Sequence, residues 1–317
     1  MAIMFVVKGR SVNNLYGKSV ISIVDLNRET IEQVLIAAHK LKTGQICQAL
    51  SGKIIASCFF EASTRTRLSF ESAIYRLGGQ VIGFADAANT SDKKGENLKD
   101  AIRMISAYSD GIILRHPASG SARLASEIAS VPVVNAGDGG NQHPTQTLLD
   151  LFTIQQKQGR LDKLNIALVG DLKYGRTVHS LAQALVHFSP RFFFVSPDSL
   201  AMPDSVCAEL RRAGVRFSCH QHVEAVLPKL DVLYMTRIQK ERFLPSEFQQ
   251  VQHQFIVTPE LLSAAKQTLS ILHPLPRVGE IDERVDVLPQ AHYFEQAANG
   301  VPVRQALLAL LFQEGGL

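Results

Sequence analysis

Residues 54–77 read IIASCFFEASTRTRLSFESAIYRL, an apolar run followed by a short polar turn and an amphipathic segment. The run at 54–60 is typical of a strand that is buried on both faces of a parallel sheet. Beyond the turn, apolar residues at helical spacing predict a helix: Leu68, Ala73, Ile74 and Leu77. Gly78 and Gly79 are expected to end that helix. A strand that passes directly into a helix is the repeating unit of an α/β fold.

The turn, Ser63-Thr64-Arg65-Thr66-Arg67, collects hydroxyls and guanidiniums at the predicted helix N-terminus. Free backbone amides and the positive end of the helix dipole favour an anion there. Arginine adds fork-shaped donors that match phosphate oxygens, and a bound anion would offset the repulsion between arginine and the dipole. The alternative is a plain helix cap, in which Ser63 or Thr64 caps the helix and the arginines are solvated. The turn alone leaves both interpretations open.

Composition indicates an ordinary globular chain. The 317 residues are enough for two domains, and 46% of them are apolar and 20% charged. The net charge of +4 is spread along the chain, with no basic tail and no basic block interleaved with aromatic residues. Nucleic acid is therefore not expected as a partner, whereas small anionic substrates suit this charge balance.

Cysteine usage and hydropathy predict a cytoplasmic protein. The four cysteines form no CxxC pair and lie in or near apolar runs, as expected of reduced core thiols. The segment CHQH at 219–222 resembles a metal-ligand cluster, but no second cluster completes it, so a surface turn is expected. The apolar run at 2–7 is too short for a secretion signal, and no run reaches membrane-spanning length, so no membrane association is expected.

Strand-like and helix-like segments alternate along the chain. Strands are predicted at 54–60, 81–84, 111–114 and 131–135, and again at 165–170, 192–195, 215–218, 231–235 and 269–272. Besides the helix after residue 63 and one from residue 259, helices are predicted at 27–43, 97–108, 119–129, 145–158, 177–188, 205–213 and 303–312. This alternation predicts an α/β fold of two doubly wound parallel-sheet domains joined by helices, with the active site in the cleft between them.

The residues after each predicted strand are the candidates for function, because ligands of open α/β sheets bind outside the carboxyl ends of the strands. Six such stretches are polar, and all except the third contain arginine: 63–67, 115–117, 142–146, 171–177, 236–239 and 273–277. A single arginine after a strand is usually a surface charge. Five arginine-containing stretches at the edges of two sheets indicate a site for anionic ligands.

The two halves of the chain offer different groups, a phosphate pocket in the first and groups suited to carboxylates in the second. The phosphate set is Ser63, Thr64, Arg65, Thr66, Arg115, His143 and Gln146, and the carboxylate set is Arg176, Arg237 and Gln239. No Walker loop and no GxGxxG follows a strand, and the segment at 170–175 only weakly imitates a dinucleotide loop. We therefore expect chemistry by positioning and charge stabilisation, with no cofactor and no metal.

These motifs resemble those of the transcarbamylases, which transfer the carbamoyl group of carbamoyl phosphate to an amine. The resemblance rests on STRTR at 63–67 and HPTQ at 143–146, and it extends over nearly the whole chain. TRIQ at 236–239 and HPLPR at 273–277 resemble the catalytic chains of the aspartate-specific branch, of enterobacterial type. An ornithine-specific chain would be expected to carry His-Cys-Leu-Pro in the latter segment, where this chain has Pro274 in place of the cysteine.

The resemblance implies a division of the chain and a reaction. A carbamoyl-phosphate-binding domain would span 1–144, completed by a C-terminal helix at 295–317, and an aspartate-binding domain would span 145–294. The reaction would convert carbamoyl phosphate and L-aspartate into N-carbamoyl-L-aspartate and phosphate, a step of pyrimidine biosynthesis.

The resemblance also implies a role for each site residue. Carbamoyl phosphate would be bound by Ser63, Thr64, Arg65, Thr66, Ser91, Lys94, Arg115, His143, Gln146 and Leu275. Aspartate would be bound by Lys94, Arg176, Thr177, Arg237, Gln239 and Leu275. The catalytic groups among these would be Arg65, Thr66, Lys94, Arg115 and His143.

An assembly and a motion are implied as well. Ser91 and Lys94 would lie on a loop that reaches into the neighbouring subunit, so a homotrimer with shared active sites is expected, although the spacing leaves open whether Lys93 or Lys94 enters the site. Enterobacterial relatives bind zinc-containing regulatory chains that sense nucleotides, so an allosteric holoenzyme is a candidate assembly. Residues 237–247 would form a mobile loop, and Glu61 would bridge to Arg176 and Arg242 when the domains close.

Two other functions remain open from the sequence. One is a transcarbamylase that acts on another amine such as ornithine, which the segment at 273–277 disfavours. The other is a catalytically silent subunit of the same fold, which the presence of all the phosphate and carbonyl residues disfavours.

Overall fold

The computed structural model describes residues 13–86, 95–237, 255–315 and 317, and within them the strands form two parallel sheets. The first sheet contains β1 (Ile54–Phe59), β2 (Gln80–Phe84), β3 (Gly111–His116) and β4 (Val133–Asp138), in the order β2-β1-β3-β4. The second contains β5 (Asn165–Val169), β6 (Arg191–Val195), β7 (Arg216–His220), β8 (Val232–Met235) and β9 (Ser270–Leu272), in the order β7-β6-β5-β8-β9. The prediction of two parallel α/β sheets is confirmed.

Helices alternate with the strands as predicted, with ends that differ by a few residues. Those of the first half are α1 (Arg28–Lys42), α2 (Thr64–Arg76), α3 (Leu98–Tyr108), α4 (Ser121–Ile128) and α5 (Pro144–Gln158). Those of the second half are α6 (Arg176–Leu185), α7 (Asp204–Arg212), α8 (Pro259–Leu262), α9 (Tyr293–Ala298) and α10 (Gly300–Phe312). Within the described residues, none of the helices has the length and apolar character needed to cross a bilayer.

The C-terminal region differs from the single helix expected over 295–317. Two helices are present, and the chain leaves the second at Gln313 with an extended backbone. Pro302 explains the break, because proline has no amide hydrogen to donate and is tolerated only in the first turn of a helix. The hydrogen-bonded helix therefore restarts at Gly300, which places Pro302 in its first turn.

Helix α10 is buried on almost every side and packs against α1, α2 and α5. Its sequence is apolar all round, as expected of a helix in the interior of a domain. The last helix of the chain therefore belongs to the hydrophobic core of the first half, where it packs against α2.

One cysteine departs from the prediction of four core thiols. Cys47, Cys58 and Cys207 are buried, whereas Cys219 is exposed. Cys219 belongs to β7, which is an edge strand and is covered less completely than the centre of its sheet.

The order of the strands reverses direction once in each sheet, between β1 and β3 and between β5 and β8. The carboxyl ends of the strands diverge at such a reversal and leave a crevice in which ligands of α/β proteins bind. Arg115 pairs in register with Phe59 at the end of β1, and the amide of Thr236 after β8 donates to Val169 O at 2.9 Å. The stretches 63–67, 171–177 and 236–239 therefore follow three of the four strands that flank the two reversals, and Arg115 and His116 are the last two residues of the fourth, β3, which extends two residues beyond its predicted end.

Candidate active site

A cavity of about 800 Å³ lies between the carboxyl ends of the two sheets. It is lined by residues from both halves of the chain, which the sequence had separated into a phosphate set and a carboxylate set. The predicted site residues that line it are Ser63, Thr64, Arg65, Thr66, Arg115, His143, Gln146, Arg176, Thr177, Arg237 and Leu275. The remaining predicted residues, Ser91, Lys94 and Gln239, lie outside the described residues, as do Lys93 and Arg242.

The start of α2 presents its polar groups to the cavity. Ser63 occupies the N-cap position (φ −158°, ψ 89°), but its side chain makes no capping hydrogen bond within the described part of the chain. Arg67 is held away from the cavity by Glu71, with Nε 3.3 Å from Oε1, whereas Arg65 is exposed and lines the cavity. Hydroxyls, first-turn amides and one guanidinium therefore converge there, as anion binding requires.

Two guanidiniums from different halves of the chain approach each other beside Gly137. Arg115 is 9% exposed and donates from Nη1 to Ala136 O at 3.2 Å, while Arg176 donates from Nη1 to Gly139 O. Gly137 has a φ of +119°, and a methyl group on it would lie 2.8 Å from Arg115 Nη1 and 3.2 Å from Arg176 Nη2. The absence of a side chain at Gly137 therefore allows both cations to reach the same part of the cavity.

Burial and mutual repulsion destabilise the charged form of these arginines. Burial, and then the charge of Arg176, lower the pKa of Arg115, and burial also lowers the pKa of Arg176. Glu61 partly compensates, with Oε2 3.3 Å from Arg115 Nη2. The charge of Asp138 also raises the pKa of Arg176, but the described residues of the cavity wall include five arginines and two carboxylates, which leaves a positive potential that an anionic ligand would stabilise.

His143 is held in its neutral form next to these cations. It is 5% exposed at the residue before α5, and Nδ1 is buried without a hydrogen-bond partner among the described residues. Burial, followed by the charges of Arg176, Arg115 and Arg304, lowers the pKa of His143 well below its usual value. A neutral imidazole can donate one hydrogen bond to a polar ligand group without adding a further positive charge to those of the three arginines.

The turn at 273–276 is fixed by a buried histidine. His273 Nε2 lies 2.7 Å from Glu280 Oε1, and His273 Nδ1 accepts from the backbone amide of Leu275 at 2.8 Å. Burial alone would raise the pKa of Glu280, but the hydrogen bonds from His273 and from the backbone amide of Val278 bring it below its usual value. The histidine therefore donates through Nε2 to an ionised carboxylate, and its free Nδ1 lone pair holds Leu275 at a φ of +55°.

Two family models match the chain. The model described as "Aspartate/ornithine carbamoyltransferase, carbamoyl-P binding domain" matches residues 18–156, and the model described as "Aspartate/ornithine carbamoyltransferase, Asp/Orn binding domain" matches residues 162–311. The chain belongs to the aspartate/ornithine carbamoyltransferase family. The resemblance that the motifs suggested is thereby confirmed.

Relatives in this family are similar over nearly their full length. The chain is 57% identical over 300 residues to the aspartate carbamoyltransferase catalytic subunit of Chromobacterium violaceum, covering 95% of this chain and 99% of that protein. It is 58% identical over 305 residues to the aspartate carbamoyltransferase catalytic subunit of Vibrio campbellii, with the same coverage.

Solved structures of carbamoyltransferases share the fold. The catalytic subunit of M. jannaschii aspartate transcarbamoylase is 49% identical with a TM-score of 0.87, over 92% of this chain and 97% of that chain. Aspartate transcarbamoylase from Trypanosoma cruzi, in complex with carbamoyl phosphate and aspartate, is 38% identical with a TM-score of 0.88, over 95% of this chain and 97% of that chain.

Buried polar residues behind the carbamoyltransferase cavity were missed by the sequence reasoning. Asp150, Gln296 and Arg304 are at most 3% exposed, and two of them, Gln296 and Arg304, line the cavity. A signal was present, because Asp150 and Arg304 are charged residues inside otherwise apolar helical segments. A charged group in such a position is almost never fully buried unless it is paired.

Titration of His143 gives a prediction about stability. His143 has a depressed pKa in the folded protein, so below about pH 6.5 the unfolded chain binds a proton that the folded protein does not. The contribution of neutral His143 to the free energy of unfolding is therefore complete above that pH, and it falls as the pH drops, by up to about 1.4 kcal/mol per pH unit. His143→Gln should remove this dependence.

The measurement is the free energy of unfolding in urea at several pH values between about 5 and 7.5, for both proteins. Asp150, whose pKa burial raises to about 7, contributes with the opposite sign, since stability due to its protonated form is lost as the pH rises toward that value. The difference between the two proteins isolates His143. A difference that does not change with pH would show that the pKa of His143 is the same in the folded and the unfolded protein.

Proposed function

We propose that this chain transfers the carbamoyl group of carbamoyl phosphate to the amine of L-aspartate, giving N-carbamoyl-L-aspartate and phosphate. The single observation that carries the proposal is the shared cavity, in which the phosphate set of the first half of the chain meets Arg176 and Arg237 of the carboxylate set. Relatives at 57% and 58% identity bear the name of this enzyme, and a similar structure holds both substrates. The product is a precursor in pyrimidine biosynthesis.

The first half of the chain binds carbamoyl phosphate. Ser63, Thr64, Arg65 and Thr66 hold the phosphate at the start of α2, together with Arg115. Thr66, Arg115 and His143 polarise the carbamoyl carbonyl, and Gln146 accepts from the carbamoyl amino group. Their shared position on the cavity wall supports these roles, as does the anion affinity of a helix N-terminus.

The second half presents aspartate to the carbamoyl carbon. Arg176, Thr177, Arg237 and Gln239 bind its carboxylates, and the Leu275 carbonyl faces the incoming amine and the carbamoyl nitrogen. Ser91 and Lys94 complete the site from a neighbouring subunit. The fixed turn at His273 and Leu275 supports the role of that carbonyl.

Carbamoyl phosphate is a mixed anhydride and needs no enzyme nucleophile. The unprotonated amine of aspartate attacks the carbonyl carbon, and negative charge grows first on the carbonyl oxygen and then on the departing phosphate. Arg65, Thr66, Arg115, His143 and Lys94 stabilise that charge, which is the largest contribution in many enzymes. The leaving phosphate accepts the proton of the amine, so no general base on the protein is required.

A colorimetric assay of carbamoyl aspartate tests the function, with ornithine as the competing amine. We expect product with aspartate and none with ornithine. Product with ornithine instead would establish the ornithine-specific alternative. Absence of product with either amine, from protein that binds phosphate, would establish the catalytically silent alternative.

Glu61 gives a prediction about aspartate. Its carboxylate lies beside Arg115 and its charge raises the pKa of Arg176, so it reduces the repulsion between the two arginines. Glu61→Ala should raise the aspartate concentration at half-saturation, because the closed form that binds aspartate would lose the expected bridge from Glu61 to Arg176. The increase should be up to about fivefold, since the carboxylate is partly exposed. Bridging to Arg176 and Arg242 on closure stays a prediction that this experiment also addresses.

The measurement for Glu61 is the aspartate saturation curve at saturating carbamoyl phosphate. Glu71→Gln is the control, since it removes a carboxylate charge from α2, where Glu71 pairs with Arg67 outside the cavity. An unchanged saturation curve for Glu61→Ala would contradict the prediction.

We also propose that the active unit is a homotrimer with shared active sites. The first sheet has an exposed edge strand, β2, which precedes the segment that contains Ser91 and Lys94. Large apolar side chains are exposed on β2 and on helices α2 and α3, which is typical of an interface. They are Leu68, Tyr75, Ile82, Met104 and Tyr108.

Mixing two inactive variants tests the shared site. Arg65→Ala and Lys94→Ala change residues expected to come from different subunits of one site. Dissociated and reassociated together, they should regain activity, because some hybrid sites contain neither change. Light scattering should give three times the 34.8 kDa chain mass. A monomeric active protein would contradict the proposal.

The remaining assignments follow from the same family membership. The division at 144/145, with α10 completing the first domain, agrees with the packing of α10 against α1 and α2. Zinc-containing regulatory chains are candidate partners in an allosteric holoenzyme, and a cytoplasmic location suits a biosynthetic enzyme. Size measurement with and without such chains distinguishes a bare trimer from a larger assembly.

A further inference from the structure

A buried carboxylate lies behind the cavity and receives three hydrogen bonds. Asp150 on α5 is completely buried. Its Oδ1 accepts from Gln146 Nε2 at 2.8 Å and from Gln296 Nε2 at 2.6 Å, and its Oδ2 accepts from Tyr234 OH at 2.8 Å. These donors offset part of the cost of burying the carboxylate.

The three donors come from three segments that shape the proposed site. Gln146 lies in the first turn of α5 and lines the cavity. Tyr234 is in β8, just before Thr236 and Arg237. Gln296 is in α9, and its Oε1 accepts from the amide of His273, which begins the turn that holds Leu275. Through these hydrogen bonds, Asp150 links residues that the two halves of the chain place at the cavity.

The chemistry of a carboxylate fixes the orientation of both amides. An ionised carboxylate only accepts hydrogen bonds, so each glutamine must turn its nitrogen toward Asp150. For Gln296 a second contact requires the same orientation of the amide, because its Oε1 accepts a hydrogen bond from the backbone amide of His273. With Nε2 of Gln146 held by Asp150, the group that Gln146 can offer to a ligand in the cavity is its oxygen, Oε1.

We propose that Asp150 is a positioning residue that makes Gln146 a hydrogen-bond acceptor and so selects a carbamoyl group, which carries –NH2, over an acyl group that carries –CH3. The inference rests on the proposed function and deepens it. A carbamoyl –NH2 donates to Gln146 Oε1, whereas the methyl group of acetyl phosphate has the same size and no donor. Leaving a polar group of the site without a partner is how an enzyme rejects such an analogue.

The test compares the dissociation constants of carbamoyl phosphate, acetyl phosphate and inorganic phosphate, without aspartate. The variant Asp150→Ala removes the acceptor, so Gln146 can turn its nitrogen to the cavity. We expect the preference for carbamoyl over acetyl phosphate to fall by about tenfold, the effect of one hydrogen bond. Inorganic phosphate should bind as before, because the protein groups expected to bind it lie at the start of α2.

Asp150→Asn is the matched variant. Asparagine can keep its oxygen toward the two glutamines and turn its nitrogen toward the Tyr234 oxygen, so the preference for carbamoyl phosphate should be retained. A role that depends only on the negative charge of Asp150 would be disturbed in both variants. Asp150→Leu, which fills the site without offering an acceptor, separates positioning from packing, because only the positioning role predicts that this variant loses the preference. The measurements are made at a pH well above 7, because burial raises the pKa of Asp150 to about 7.

The outcomes separate this inference from the proposed function. If Asp150→Ala keeps the full preference, or Asp150→Asn loses it, the positioning role is wrong while the proposed function stands. If the unchanged protein binds carbamoyl phosphate no better than inorganic phosphate, the proposed function itself fails. Should Asp150→Ala not fold, Asp150→Leu, which fills the site with an apolar group, gives the same comparison.

Discussion

Arg65→Ala is expected to lower kcat by about a hundredfold or more. Arg65 lies in the first turn of α2, on the wall of the cavity, beside Ser63, Thr64 and Thr66. In the proposed reaction it faces the phosphate on which negative charge grows. The loss should therefore appear in kcat, with a smaller change in the binding of carbamoyl phosphate, because an interaction that strengthens in the transition state acts on the rate.

Arg67→Ala is the matched control for this result. It removes the same charge two residues further along α2, from a side chain that pairs with Glu71 and does not line the cavity. Steady-state assays of both variants, with thermal unfolding as a check of folding, make the comparison. Near-normal turnover of Arg65→Ala, or an equal loss of kcat in Arg67→Ala, would contradict the role assigned to Arg65.

Gly137→Ala is expected to impair both halves of the site through one methyl group. The Cβ would lie 2.8 Å from Arg115 Nη1 and 3.2 Å from Arg176 Nη2, so both guanidiniums must move. A displacement of about 1 Å at such groups costs roughly a hundredfold in kcat/KM. The saturation curves of both substrates should shift, because Arg115 is assigned to carbamoyl phosphate and Arg176 to aspartate.

The control for Gly137→Ala separates backbone strain from displacement of the arginines. Gly159 also has a positive φ, +69°, but a methyl group there meets nothing within 4 Å. Gly159→Ala should cost about 1–2 kcal/mol of stability and leave the kinetics unchanged. If Gly137→Ala behaves like Gly159→Ala, the two arginines are not held in place by Gly137.

The sequence located the walls of the cavity because parallel sheets obey a local rule. Each strand is a short apolar run, each helix has its own period, and ligands bind where strands end. Ser63, Arg115 and Arg237 could therefore be named from positions next to predicted strands. The break between α9 and α10 was missed because Pro302 fits two arrangements equally well. One is a single helix that begins near Pro302, and the other is a pair of helices that are separated just before it.

The sequence by itself therefore determined the alternation of strands and helices, the family and the polar residues that follow the strands, since all of these are encoded in short windows. Only the tertiary structure decided that Arg115 and Arg176 approach each other at Gly137 and that His143 is neutral. It also decided that Asp150 accepts hydrogen bonds from Gln296 and Tyr234. These contacts join residues far apart in the chain, so they depend on how the two sheets pack together. Burial and charge at the resulting junction, which no short window records, set the chemistry of the groups there.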